Sequence, residues 1–262
     1  MLPEKSKKNI LRNVLIIALI AFIYIWAFTG LQLNGIKENA GQLVGAMLDG
    51  LIHPDWSYVY TGDGEDLISL MIQTIAIAFV GTIISSILSI PFAFLAAHTK
   101  NKITVVSGVG KFILAVIRTF PEIVLAVMFI KVVGAGAFAG VLAVGIHSIG
   151  MLGKLYSEAI ENIDYGPCEA IISTGGSRFD VLRYGTLPQL IPEFLSYTLY
   201  RFEISVRSAS ILGLVGAGGI GTPLIFAING RSWDRVGIIL IGIIVTVTCI
   251  DYVSGKCRQK LS

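Results

Sequence analysis

The sequence predicts an all-α integral membrane protein with about six transmembrane helices, arranged as a single domain over residues 1–262. Hydrophobic residues make up 54% of the chain and charged residues only 14%, which differs from the composition of ordinary soluble domains. Apolar runs of roughly 20 residues, long enough to cross a bilayer as a helix, recur along the chain. They leave little sequence for a separate soluble domain.

The first apolar run, residues 14–31, follows a basic start and is interpreted as a retained span. It is long for the core of a signal peptide, and no convincing small-residue cleavage site accompanies it. Pro121 is expected to kink or break the third span because proline removes a backbone donor. The remaining spans are expected at residues 68–97, 104–133, 135–156, 190–215 and 236–253.

Lys and Arg positions predict the orientation of the chain, because cytoplasmic segments carry an excess of both. Six spans place both termini on one side, and twelve basic residues fall on that side against three on the other. We therefore expect residues 1–13 and 157–189 in the cytoplasm of a multi-pass protein in the cell membrane. Residues 32–67, with one basic and six acidic residues, are expected outside.

A polar and turn-rich segment, EAIISTGGSRFDVLRYGTLP (Glu169–Pro188), separates the fourth and fifth spans. Its Gly-Gly pair predicts a helix end, because glycine tolerates the left-handed backbone of a C-cap. Ser177 and Asp180 resemble a capping box and predict a second short helix. That helix is expected to end before Pro188, because a residue that precedes proline disfavours the α conformation.

Such a long ordered loop indicates a docking surface, although a simple connection between spans is the alternative. A DNA-binding helix-turn-helix does not suit a segment that lies between two spans and holds only two basic residues.

The same segment resembles the EAA motif of ABC importer permeases, which begins with Glu-Ala, has Gly six residues after the Glu and ends in Leu-Pro. Ile171 replaces the usual third alanine, and Gly185 stands where isoleucine is common. The resemblance implies a type I importer fold with a cytoplasmic coupling helix that binds a separate ATPase subunit. The residues assigned to ATPase coupling are Glu169, Ala170, Gly175, Phe179, Leu182, Leu187 and Pro188.

Three stretches are similar to permeases of phosphonate importers: RTFPE, FAGVLAVGIHSIGMLGKLYSEAIENIDYGPCEAI and SYTLYRFEISVRSASILGLVGAGGIG. The resemblance covers nearly the whole chain, most densely residues 108–221, and implies import of a phosphonate by alternating access. Phosphate or phosphite import by the same architecture is the alternative, because substrate selection is expected to lie in the binding protein. The chain itself is then a transport subunit and no enzyme.

The implied partners are a second copy of this chain, ABC ATPase subunits, an extracytoplasmic phosphonate-binding protein and membrane lipid, without nucleic acid. Dimerisation follows because two ATPases need two docking loops and one chain has one. ATP and magnesium are expected on the ATPase, in agreement with the lack of a P-loop sequence in this chain. Residues 32–67 are expected either to contact the binding protein or to act as a linker.

Polar residues inside apolar segments are candidates for the substrate path, because such residues usually face a partner or water. Glu203 and Arg207 are four residues apart and can pair on one helix face, which would leave Arg201 as the freer cation. The alternative is a structural role, with the arginines bound to backbone carbonyls or extended to the interface. The candidates are Arg118, His147, Ser148, Arg201 and Arg207.

The segment VGAGGIG fits the glycine spacing of a dinucleotide-binding loop, but an apolar span precedes it and Thr222-Pro223 follows at once. The glycines instead favour a close helix contact or an irregular turn, and a gate at this point is a hypothesis. The residues concerned are Gly216, Gly218, Gly219 and Gly221. We expect no cofactor on this chain.

A metal site is not expected, because Cys168, Cys249 and Cys257 lack metal-ligand spacing and are interpreted as packing residues. A membrane enzyme would need a metal cluster, paired carboxylates or a nucleophile with its base, and three scattered histidines do not supply one. A secondary transporter remains the alternative function. It would be expected to show internal repeats and several intramembrane acids.

Overall fold

The computed structural model describes residues 7–30, 40–98 and 104–261, and all regular structure in these ranges is helical. The all-α prediction is therefore confirmed. Short 3₁₀ helices cover Trp56–Val59 and Gly213–Val215, and a π-helical segment covers Val181–Thr186. The α-helices are α1 (Lys7–Gly30), α2 (Ala40–Ile52), α3 (Leu67–Ala96), α4 (Thr104–Thr119), α5 (Glu122–Val133), α6 (Ala137–Glu161), α7 (Gly166–Ser173), α8 (Arg178–Asp180), α9 (Leu187–Leu212), α10 (Gly221–Asn229) and α11 (Trp233–Gln259).

The chain divides within α2 into two compact units, Met1–Met47 and Leu48–Ser262. The first unit contains α1, in which the side chains of residues 12–30 are all exposed. The second unit contains the helices from α3 to α11 and the buried core. The assignment of the whole chain to one domain stays a prediction.

Four helices are long and apolar enough to cross a membrane, in α1, α3, α6 and α11. Together α4 and α5 make a fifth candidate span, bent by 79°. At 26 residues α9 has a spanning length of about 39 Å, but it carries four charged residues and is less apolar. Five of the six predicted spans are therefore met by length and composition, and α9 occupies the position of the remaining one, residues 190–215.

The bend between α4 and α5 lies at Pro121, as the sequence predicts. Helix α4 ends at Thr119, Pro121 adopts an extended conformation, and α5 begins at Glu122. Pro91 and Pro192 lie inside α3 and α9 without ending either helix. Only the break at Pro121 therefore divides a span in the described part of the chain.

Small residues let α3 and α6 approach closely in the centre of the second unit. Ala78 and Ala143 are fully buried there, and a Cβ added to Gly81 would lie 3.0 Å from the Val144 side chain. The Thr82 hydroxyl donates a buried hydrogen bond of 3.0 Å to Ser205 Oγ on α9. Glycine, alanine and hydroxyl side chains thus make the helix contacts, as is common within membranes.

The polar segment folds as α7, a turn and α8, and α8 begins with the predicted capping box. The expectation that this helix ends before Pro188 is wrong, because the chain continues through the π-helical segment into α9. Leu187 adopts the α conformation and its N–H donates to the Leu182 carbonyl. Pro188 is tolerated because it lies in the first turn of α9, where a missing N–H costs little.

Candidate functional site

The segment from α7 to the π-helical segment presents large apolar side chains to the exterior. We call these four side chains the coupling surface: Ile172, Phe179, Leu182 and Tyr184, exposed by 60%, 65%, 39% and 62%. Glu169 and Ala170 on α7 are exposed as well. An exposed cluster of this kind is suited to contact with another protein.

Two departures from the EAA pattern lie against each other behind the coupling surface. A Cβ added to Gly185 would lie 3.3 Å from Ile171 Cδ1 and 3.0 Å from Cys168 Sγ. Cys168 is buried at this contact. The larger side chain of Ile171 therefore occupies the space that the absent side chain of Gly185 leaves.

Hydrogen bonds close the loop at its base. Gln189 Nε2 donates to the carbonyls of Asp164, at 3.0 Å, and Gly185, at 2.7 Å, and the Asp164 N–H donates back to Gln189 Oε1 at 3.0 Å. At the turn, Gly175 has φ +83°, which favours glycine. The coupling surface is consequently held on a braced support.

The capping box fixes the start of α8. The Ser177 hydroxyl and N–H donate to Asp180 Oδ2 at 2.6 and 2.9 Å, and the Asp180 N–H donates to Ser177 Oγ at 3.3 Å. These hydrogen bonds, from the side chain first and the backbone second, hold the pKa of Asp180 below its ordinary value.

Arg201 on α9 is a charged residue buried in the helix core. Its side chain is only 2% exposed, and its Nε donates to Ser148 Oγ on α6 at 2.7 Å. One terminal nitrogen donates to Met151 Sδ at 3.4 Å, and the other pairs with Glu122 Oε1 on α5 at 3.4 Å. Arg201 thus joins α9 to the first residue of α5 and to α6.

The pairing expected along α9 is wrong. Glu203 Oε1 accepts a hydrogen bond of 2.7 Å from Arg258 on α11, and Arg207 pairs with Asp251 on α11 at 3.3 Å. Arg201 is accordingly not the freer cation. Pairing across helices prevails because Glu203 and Arg207 both face α11, which supplies a partner of opposite charge for each.

The other predicted path residues lie at two places. His147 Nδ1 donates to the Phe120 carbonyl at 3.1 Å, which places His147 at the α4–α5 break beside Ser148. Arg118 is exposed and lines a cavity between α4 and α6. The structure therefore groups Ser148 with Arg201 and puts Arg118 and Arg207 elsewhere.

The glycine-rich segment forms an irregular turn between α9 and α10. Gly216, Gly218 and Gly219 have φ values of +91°, +81° and +78°. The Gly219 N–H donates to Gln73 Oε1 at 3.0 Å on α3, and the Gly136 N–H, just before α6, donates to the Gly216 carbonyl at 2.9 Å. At its end, a Cβ on Gly221 would overlap the Ser210 carbonyl.

Residues 89–254 match the protein family described as binding-protein-dependent transport system inner membrane component. The chain belongs to this family. It is the permease subunit of an ABC importer and a multi-pass membrane protein. Permeases of this family work with ATPase subunits and with a substrate-binding protein.

Two curated relatives resemble this permease over most of its length. The phosphite transport system permease protein PtxC of Stutzerimonas stutzeri is 39% identical over 189 residues, which are 72% of this chain and 69% of the relative. The phosphate-import permease protein PhnE of Mycolicibacterium smegmatis is 41% identical over 198 residues, which are 76% of this chain but 37% of that relative.

A solved structure shares the fold of the permease. The inward-facing MetNI methionine ABC transporter has a chain that superposes with a TM-score of 0.63 over 75% of this chain and 96% of its own, at 19% identity. At that identity the likeness shows the fold alone. The type I importer fold that the EAA resemblance implies is confirmed.

Sequence reasoning missed three residues that complete the ion pairs of the permease. They are Glu122, Asp251 and Arg258, which pair with Arg201, Arg207 and Glu203. The available signal was an acidic residue within or beside an apolar run, because such a residue requires a cation as its partner. Glu122 and Asp251 are acidic residues of this kind, and Glu203 is the one that requires Arg258. Among the described residues, no cluster of three or more His, Cys, Asp or Glu could hold a metal ion.

Proposed function

We propose that this permease imports a phosphorus oxyanion, in the first instance a phosphonate, as a homodimer with two ABC ATPase subunits and an extracytoplasmic phosphonate-binding protein. The names of the relatives support this substrate class, since one is a phosphite and one a phosphate permease protein. Phosphate and phosphite are the alternative substrates. The chain itself binds no ATP, and Mg-ATP belongs to the ATPase.

Both termini face the cytoplasm in this proposal, and residues 32–67 face the binding protein. The excess of Lys and Arg in residues 1–13, 157–189 and the C-terminal segment supports that orientation. The coupling surface then points toward the ATPase, which lies on the cytoplasmic side.

The coupling surface is the observation that carries the mechanism. Its exposed apolar side chains rest on a support braced by Gln189 and by the contact between Ile171 and Gly185. ATP binding brings the two ATPases together, and the two coupling surfaces move with them. The spans then change from inward-open to outward-open, and the binding protein releases its anion into the dimer axis.

The glycine-rich turn is assigned to the outer gate. It is fixed to α3 through Gln73 and to the start of α6 through Gly136, so movement of either helix displaces it. Arg201 and Ser148 are assigned to positioning of the helices, because a guanidinium that is 2% exposed and already paired has little capacity left for a passing anion. His147 is assigned to the α4–α5 break, and Arg207 to the contact with α11.

The test measures ATPase activity of the complex in proteoliposomes, with binding protein that is empty or loaded with methylphosphonate, phosphite or phosphate. We expect stimulation by at least one loaded form, and loss of that stimulation in Gly175→Asp. At Gly175 the positive φ disfavours a side chain, while no atom lies within 4 Å of an added Cβ. The substitution therefore alters the turn that supports the coupling surface and puts a carboxylate where a partner would bind.

Gly134→Asp is the matched control, because Gly134 also has a positive φ, +90°, and open space around an added Cβ. It lies after α5, far along the chain from the coupling surface, and is expected to keep stimulation. Failure to assemble with an ATPase, or undiminished stimulation of Gly175→Asp, would reject the importer mechanism and favour a secondary transporter.

A further inference from the structure

A cavity of about 260 Å³ lies between α4 and α6 and is lined by several charged side chains. Lys111 and Arg118 from α4 and Lys154 from α6 contribute three cations, and Glu158 and Glu161 contribute two carboxylates. The lining therefore has an excess of positive charge. With roughly 30 Å³ for one water molecule, the cavity has room for a small anion together with several waters.

The two lysines of this cavity already have partners. Lys111 Nζ lies 2.9 Å from Glu161 Oε1, which also accepts the His98 N–H at 2.8 Å. Lys154 Nζ lies 3.4 Å from Glu158 Oε1. The carboxylates thus neutralise the lysines and hold them at the wall of the cavity.

Arg118 has no such partner in the described part of the chain, where the ion pairs join other residues. It lies in α4, within a candidate span, and three residues before the break at Pro121. A cation at that place is costly unless it faces a counter-charge or water. The cavity has room for water beside Arg118, and no side chain of the described residues forms an ion pair with its guanidinium. The N–H groups of the guanidinium can therefore donate to a ligand in the cavity.

Close contact between the two helices fixes the position of Arg118. A Cβ added to Gly150 on α6 would lie 2.9 Å from the backbone nitrogen of Arg118 and 3.1 Å from the carbonyl oxygen of Leu114. About one turn later a Cβ on Gly153 would lie 2.5 Å from Leu114 Cδ2. The backbone of Arg118 therefore rests directly on α6, so its side chain starts from a fixed point on the cavity wall.

We propose that this cavity is a binding site for a phosphorus oxyanion, with Arg118 as its main contact. The planar guanidinium matches two oxygens of a phosphate or phosphonate group, and Lys111 and Lys154 add further N–H donors around it. The same chemistry belongs to the transported anion and to the headgroup of an anionic lipid. The first source rests on the proposed function, whereas the second does not.

The experiment compares Arg118→Gln with Lys131→Gln in the complete complex in proteoliposomes. Gln retains much of the length of the side chain and removes its charge. Lys131 is an exposed cation on α5 outside the cavity, and its substitution is the matched control. A third variant, Arg118→Lys, keeps the positive charge but loses the planar guanidinium that can donate to two oxygens at once.

Two readouts separate the two sources of the anion. The first is uptake of labelled methylphosphonate, phosphite or phosphate per ATP hydrolysed, in liposomes of phosphatidylcholine with the loaded binding protein. The second is retention of phosphatidylglycerol by the purified permease in native mass spectrometry. If the transported anion binds here, Arg118→Gln lowers uptake per ATP by about tenfold or more, ATPase stimulation persists, and Arg118→Lys restores part of the uptake.

If a lipid headgroup binds here, the Arg118→Gln permease no longer retains phosphatidylglycerol, while its anion uptake per ATP equals that of Lys131→Gln. Either result supports the site and names its source. The site is rejected if Arg118→Gln equals Lys131→Gln in both readouts. Absence of ATPase stimulation in the unmodified complex would instead refute the proposed function, and the lipid readout would still test the cavity.

Discussion

At the scale of single residues, Arg201 shows why a buried cation in a membrane protein needs several partners. Its guanidinium directs separate nitrogens to Ser148, Met151 and Glu122, on two different helices. An ammonium group could not reach three partners in a fixed plane. Glu122 follows Pro121 directly, and Arg201 is buried. The Arg201–Glu122 ion pair therefore stabilises the bend between α4 and α5.

Glu122→Gln is expected to destabilise the permease by about 3 kcal/mol, because it leaves the buried Arg201 charge without its carboxylate. The measurement is the free energy of unfolding in mixed micelles. Asp251→Asn is the control, since the Arg207–Asp251 pair is about half exposed and its loss should cost less than about 1 kcal/mol. Equal costs for the two substitutions would contradict a special role for the buried pair.

Asp180 gives the coupling loop a dependence on pH. Its pKa in the folded loop lies below the ordinary 3.8, so its carboxylate stabilises the start of α8 above that pH. The stabilisation is lost as the pH falls below 3.8 and through the lower folded value. The protection factor of the α8 amides, which corrects the exchange rate for its intrinsic pH dependence, should therefore fall at acid pH, and Asp180→Asn should remove this dependence while protection in α6 stays unaffected.

At the scale of elements, the coupling loop accommodates two departures from its family pattern by a local exchange of volume. Ile171 is larger than the usual alanine, and Gly185 is smaller than the common isoleucine. Their contact shows that neither departure is independent of the other. The turn between α7 and α8 can therefore keep the family geometry with a different pair of side chains.

Gly185→Ile is expected to overfill this contact and destabilise the loop by about 1–3 kcal/mol. Adding Ile171→Ala should restore most of the stability, because it removes the side chain that meets the new one. Protease resistance of the loop in the purified permease measures the effect. Additive losses in the double variant would show that the two positions do not share their space.

The sequence predicted those features of the elements that depend on neighbouring residues, and not those that depend on contacts between distant helices. The break at Pro121, the helix end at the Gly-Gly pair and the cap at Ser177 follow from backbone preferences of neighbouring residues, and the structure contains all three. The partners of Glu203 and Arg207 lie on α11 and could be predicted only by knowing which helices are in contact. The predicted pairing of these two residues with each other was therefore wrong. The prediction that the helix ends before Pro188 was wrong because the π-helical segment carries the helical backbone on into α9.

At the scale of the whole molecule, the proposed orientation can be tested with a native side chain. Cys257 is exposed in the last turn of α11 between Lys256 and Arg258, contrary to its interpretation as a packing residue, whereas Cys168 is buried. A membrane-impermeant maleimide should label Cys257 in inside-out vesicles and spare it in right-side-out vesicles. Cys257→Ser serves as the control, and labelling from the outer side would reverse the proposed topology.

The passage from α8 through the π-helical segment into α9 has a mechanical consequence. Helical backbone runs without a gap from Arg178 to Leu212, through the π-helical segment Val181–Thr186 and past Pro188 and Pro192. One end carries part of the coupling surface, and the glycine-rich turn follows the other end directly. The π-helical segment and the prolines are the points at which such a helix bends, so a movement imposed by the ATPase at the first end is expected to reach the proposed outer gate as a change in the tilt of α9.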